Sequence, residues 1–158
     1  MSAHSNSPQL AARAAAPNES RGALLERVTA HWLAQLRAAL AALDLTTAQY
    51  HLLVAAAWLG AKGLAVRQSE ISALADTDAV MTSEVLRTLE SRGLIARAPH
   101  PTDRRAKAIT VSDVGGALAD RARRLVEATE TRFFERGTPD FGALAKALKK
   151  GGRGTTDK

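Results

Sequence analysis

The sequence predicts a mainly α-helical fold with one small β-hairpin. Three observations predict it: apolar residues recur every three or four positions along most of the chain, a short and a longer helical stretch stand either side of a "DTD" break, and two strand-like runs, "LIARA" and "KAITV", flank a turn rich in Pro, Asp and Arg. At 158 residues the chain fits one domain of about 100–150 residues with ragged ends. Residues 1–19, made of Ala, Ser, Pro and Asn with few large apolar groups, and the Gly-rich basic stretch 149–158 bury too little to offset their ordering entropy, so both are expected as disordered tails around a body at 20–148.

Within that body, Leu25, Val28, Trp32, Leu36, Leu40 and Leu43 follow one helix face and predict a first helix over 21–42. Thr46 with Gln49 makes a capping box for a second helix that closes at Gly60. After the spacer "AKGLAVR" a short helix is expected over Ser69–Ala75, then a turn, then a helix over Ala79–Arg92 stopped by Gly93. The two strand-like runs follow. Ser112 can cap a long helix reaching Arg136, with Leu118, Leu125, Val126, Thr129 and Phe133 along one side, and Thr138 with Pro139 can start a last helix carrying Phe141, Leu144 and Leu148.

A short helix, a tight break and a longer helix form the layout of a helix-turn-helix. The longer helix would bury Thr82, Val85, Leu86 and Leu89 and present Val80, Glu84, Arg87 and Ser91 outward, with Ser83 beside them. Ser69, at the start of the short helix, joins the candidate DNA contacts. An ordinary αα-hairpin would look similar, and the hairpin that follows weighs against it. Between Arg92 and Lys107 the chain sets five cations, Arg92, Arg97, Arg104, Arg105 and Lys107, against one carboxylate, Asp103. Like charges so concentrated need open solvent or an anionic partner, and a net charge of +6 disposes the whole surface toward polyanions. A groove-reading helix beside a cationic hairpin that can enter a minor groove is the physical logic of a winged helix-turn-helix. Double-stranded DNA is the expected partner.

The segments "LTTAQYHLL", "RQSEISALAD", "LESRGLIAR" and "DRRAKAITVSDVG", in that order, resemble the MarR family of bacterial transcriptional regulators over about residues 21–148. The resemblance implies a homodimer on a palindromic operator, with a winged helix at about 46–111 and dimerisation helices at about 21–42 and 112–148. It implies that Arg105 enters the minor groove while Asp103 holds the wing, with Arg104 and Lys107 beside them. Many members carry a cation where this chain has Glu84, so their base preference does not transfer. A monomeric body whose apolar stripes face one another, and a module that binds DNA with little sequence choice, are the alternatives. Glu84 favours a base reader, since phosphate repels it whereas a cytosine amine attracts it; an intrahelical pair with Arg87 is its plain structural use.

Family members commonly release DNA when a small aromatic or phenolic ligand lodges between the dimer helices and the winged lobe. His31, Trp32, Tyr50 and Trp58 fall near that junction and are the candidate ligand contacts, with core packing as the alternative for the two Trp residues. No catalytic role, cofactor or metal is expected. The four histidines form no local cluster at ligand spacing, no GxSxG or dinucleotide fingerprint is present, and Asp103 beside two arginines would have the lowered pKa that a general base does not want. There are no cysteines, hence no disulfide, thiolate site or thiol switch. Neither a leader-like start nor an uncharged spanning run is evident, so the expected location is cytoplasmic, away from any membrane.

Overall fold

In the computed structural model, which describes residues 20–63, 65–101, 106–135 and 140–143, the apolar periodicity is realised as helices and a small sheet. Their order is α1 (Arg21–Ala41), α2 (Thr47–Gly60), β1 (Val66–Arg67), α3 (Gln68–Ala75), α4 (Ala79–Ser91), β2 (Ile95–Pro99), β3 (Lys107–Val111) and α5 (Asp113–Phe133). Each helix start has a chemical cause. Ser20 accepts from the Ala23 N–H, Thr46 and Gln49 close the expected capping box at 3.1 and 3.0 Å, and the Arg67 N–H donates to Glu70 at 2.7 Å.

The strands form one antiparallel sheet in the order β1-β3-β2. The hairpin register runs from Ile95 opposite Val111 to Pro99 opposite Lys107. On the other edge of β3, Val66 pairs with Ile109. The stretch expected as a plain spacer therefore contains a strand, which two residues are too few to announce by alternation.

Two apolar cores lie along the chain. The larger joins Leu52, Leu53 and Ala56 of α2 to Ile71, Leu86, Leu89, Ile95 and Ile109, so it sits under α3, α4 and the sheet. The smaller joins Leu36 and Leu40 of α1 to Leu45, Ala122 and Val126, with Trp32 and Tyr50 against it. Helix α5 enters both, through Ala119 in the first and Ala122 and Val126 in the second. Its buried positions Gly115, Ala119 and Ala122 are small, which lets its backbone approach both cores closely.

The apolar stripe expected along the whole first helix is only half used within the protomer. Leu36 and Leu40 are buried, whereas Leu25 and Val28 stay 52% and 47% exposed. Helix α5 ends at Phe133, just short of Arg136. The expected last helix is visible only where Asp140 accepts from the Ala143 N–H at 2.8 Å and the Phe141 ring meets Phe134 edge to face at 5.3 Å; its Thr138–Pro139 start and its residues Leu144 and Leu148 lie outside the described residues, as do both tails. No described helix is long and apolar enough to cross a membrane.

Candidate nucleic-acid interface

The turn between α3 and α4 is held by short polar side chains. Asp76 ends α3 in the left-handed region at φ 51°, a conformation Asp tolerates better than most residues. Ser72 donates to the Thr77 carbonyl, the Thr77 and Thr82 hydroxyls meet at 2.8 Å, and Thr82 donates on to the Asp78 carbonyl at 2.7 Å. Thr82 is fully buried, so this chain satisfies a hydroxyl that would otherwise be costly in the core. Asp78 then accepts from both the Val80 and Met81 N–H groups at 2.9 Å, capping α4 where its positive end faces outward. Gln68 donates to the Ala79 carbonyl at 3.3 Å and ties the two helices together.

Helix α4 divides as its periodicity predicts. Thr82, Leu86 and Leu89 are buried with Val85 half-buried beside them, while Val80, Glu84, Arg87 and Ser91 are exposed and Ser83 is half-buried. Ser69 is exposed in the first turn of α3. Arg87 donates to the Ser83 hydroxyl one turn back at 3.3 Å, so its intrahelical partner is the serine and not Glu84.

Two of the five cations counted around the wing are committed elsewhere. Arg92 donates to the Asp44 carbonyl at 2.7 Å and pairs with its carboxylate at 3.3 Å, fastening the end of α4 to the α1–α2 turn. Arg97 donates through Nε and Nη2 to one Glu90 oxygen at 2.8 and 2.6 Å, which fastens β2 to α4 and holds the Glu90 carboxyl below its ordinary pKa. Composition counts charges and cannot tell a paired one from an available one. Lys107 is exposed at the distal end of β3; Asp103, Arg104 and Arg105 lie outside the described residues.

The root of the wing is set by Gly93 and Ser112, expected only as a helix stop and a helix cap, together with Gly115 and His100. Gly93 takes φ +69° after α4, and Ser112, besides accepting from the Gly115 N–H at 3.0 Å, lies 2.7 Å from the Gly93 carbonyl as donor. One hydroxyl thus joins the end of α4 to the start of α5. A Cβ on Gly115 would stand 2.0 Å from the Leu94 carbonyl oxygen, so the two segments touch backbone to backbone. His100, buried at the other end of β2, closes the hairpin through its N–H to the Ala106 carbonyl at 3.1 Å and sets its ring Nε2 3.3 Å from the Ala65 carbonyl.

The four aromatic candidates do not share one site. His31 and Trp32 stand 5.5 and 5.4 Å from the Phe133 ring, on the α1–α5 contact, and Tyr50 packs on the same small core, its hydroxyl pKa raised by burial and by Glu130 and Glu127. Trp58 lies apart. It is exposed on α2 with the Lys62 ammonium 3.4 Å over its ring, beside a shallow groove lined by His51, Val54, Leu74 and Ala75. A cleft between α1 and α5 is lined by His31, Gln35, Ala38, Leu125, Thr129 and Phe133, all from these two helices and none from the winged lobe. No group of His, Asp and Glu suited to a metal ion occurs among the described residues.

Residues 45–107 match the MarR family. The uncharacterised HTH-type transcriptional regulator YdcH of Bacillus subtilis (strain 168) is 36% identical over 118 residues, which are 75% of this chain and 80% of YdcH. The chain belongs to the MarR family. Among solved structures, CouR from Rhodococcus jostii RHA1 bound to p-coumaroyl-CoA is 30% identical with a TM-score of 0.73, over 92% of this chain and 100% of CouR. A mutant MarR from E. coli complexed with operator DNA shares the fold at 24% identity and a TM-score of 0.69, over 87% of this chain and 98% of its own. As a MarR-family transcriptional regulator, the chain uses α3 and α4 as its helix-turn-helix and β2–β3 as its wing.

Proposed function

We propose that this MarR-family regulator is a homodimeric repressor that sets α4 of each protomer into the major groove of a palindromic operator and reaches the adjacent minor groove with its wing. The observation that carries this is the division of α4, whose inner residues Thr82, Leu86 and Leu89 have no exposure while Val80, on the outer face with Glu84 and Arg87, is 69% exposed. Arg87 suits a guanine edge, Glu84 a cytosine amine and Ser83 either class of base, while Ser69 and Lys107 suit phosphates. Arg104 and Arg105 are assigned to the minor groove and Asp103 to holding the wing tip. Glu84 favours this reading over a module without sequence choice, since a purely electrostatic binder gains nothing from a carboxylate on its contact face.

The domain plan proposed with it has a winged helix at about 46–111 and dimerisation elements at 21–42 and 112–148. The exposed Leu25 and Val28, continuous with the buried Leu36 and Leu40, support a partner over the first half of α1. We assign the chain no enzymatic activity and place its action in the cytoplasm with its DNA. A small aromatic ligand is proposed as effector at the α1–α5 cleft, with His31 in its lining and Trp32 and Tyr50 on the small core beside it; the aromatic acyl group of the p-coumaroyl-CoA bound to CouR supports an aromatic ligand. Trp58, on its separate groove, is not assigned to it.

A titration of operator against scrambled duplex at two salt concentrations tests the reading. Arg105→Ala is expected to weaken operator binding by roughly 1–3 kcal/mol and to lower the salt slope by about one. Arg87→Ala should instead relax discrimination at particular base pairs. Equal affinity of the native protein for operator and scrambled duplex would support the unspecific module.

A further inference from the structure

We propose that Val80 reads the 5-methyl group of a thymine in each operator half-site, an inference that rests on the DNA-reading role of α4. Val80 is 69% exposed in the first turn of α4, the end of a recognition helix that meets base edges first. It shares the outer face with Glu84 and Arg87, which are both exposed. An apolar branched side chain gains nothing from phosphates or from base amines and carbonyls. The apolar group that ordinary base pairs offer in the major groove is the thymine methyl. Val80 is also preorganised: its N–H donates to Asp78 at 2.9 Å, which fixes the helix start, and a β-branched side chain in a helix keeps essentially one rotamer. Four residues of helix rise about 6 Å, so the thymine belongs about two base steps from the base that Glu84 reads.

Val114 provides an internal control, because it is equally exposed, at 69%, in the first turn of α5 and lies off this face. The experiment selects a preferred duplex for the full-length protein from a random pool and then replaces each thymine of the selected half-site singly by uracil, which removes only the methyl. Native protein and Val114→Ala are expected to lose about fourfold in affinity at one thymine per half-site, the worth of one buried methyl-sized group. Val80→Ala, which withdraws both γ-methyls and keeps only the Cβ, should show a clearly smaller uracil penalty than the native protein. Uracil tolerance at every position, or the same uracil penalty in Val80→Ala, overturns the methyl contact while leaving DNA reading intact. Failure to select any sequence overturns the base-reading role and the contact with it. A changed dimer–monomer equilibrium in Val80→Ala would put Val80 in a protein interface and overturn the proposal as well.

Discussion

Single hydroxyls and one hydrogen-sized side chain fix the turn before α4 and the contact between the wing root and α5. Thr82 is buried and spends its hydroxyl on Thr77 and the Asp78 carbonyl, so Thr82→Val, which keeps the shape but leaves the Thr77 hydroxyl without that partner, is expected to cost about 1–3 kcal/mol in urea unfolding. Gly115→Ala forces a methyl group onto the Leu94 carbonyl, and about 1–3 kcal/mol of lost stability is the expected range for such overpacking. The Arg97–Glu90 pair makes a pH prediction. Because Arg97 lowers the Glu90 pKa from its ordinary 4.5, the pair stabilises the fold above that value, and the contribution disappears as the pH falls through the lowered folded-state pKa. The stability gap between native protein and Glu90→Gln should therefore be open at neutral pH and close in acid. A gap of constant size from neutral pH to below the carboxylate range would remove the ionised pair as its cause.

At the scale of elements, α4 keeps its packing residues and the proposed DNA contacts on opposite faces. Leu86→Ala or Leu89→Ala should cost about 2–5 kcal/mol of stability, because both are fully buried in the larger core. Substitution of the exposed Arg87 should leave the unfolding midpoint nearly unchanged and alter only DNA binding. The wing is an element of a different kind. Its root is tied to α4 by Arg97 and Ser112 and to the α2–β1 connection by His100, so the described part of the hairpin is fastened on both sides.

For the whole molecule the governing feature is α5, which packs Ala119 into the winged-helix core and Ala122 and Val126 into the α1 core. Its first turn also meets the root of the wing, where Ser112 caps it and Gly115 lies against the Leu94 carbonyl. The effector proposed for the α1–α5 cleft would act by favouring a DNA-incompetent spacing of the two winged helices, and would then weaken operator binding by the same factor by which operator weakens its own. Equilibrium sedimentation checks the assembly. A Leu25→Asp, Val28→Asp variant should be monomeric, retain helical content by circular dichroism and lose most of its operator affinity, because one winged helix reaches only one half-site.

Local chemistry made much of this legible in the sequence. The Thr46–Gln49 box, the Asp76–Asp78 turn, the Gly93 stop and the Ser112 cap on Gly115 each act through hydrogen bonds within a few residues, and the 3.6-residue period separates Leu86 and Leu89 from Glu84 and Arg87 whatever surrounds the helix. What the sequence left open depends on residues far apart along the chain. The strand at Val66–Arg67 exists because β3 offers it an edge, Arg92 and Arg97 are paired because the turn at Asp44 and the outer flank of α4 come beside them, and Trp58 is separated from Trp32 because α2 serves both cores. Periodicity gives a residue its face, and only the packing of the elements decides what that face meets.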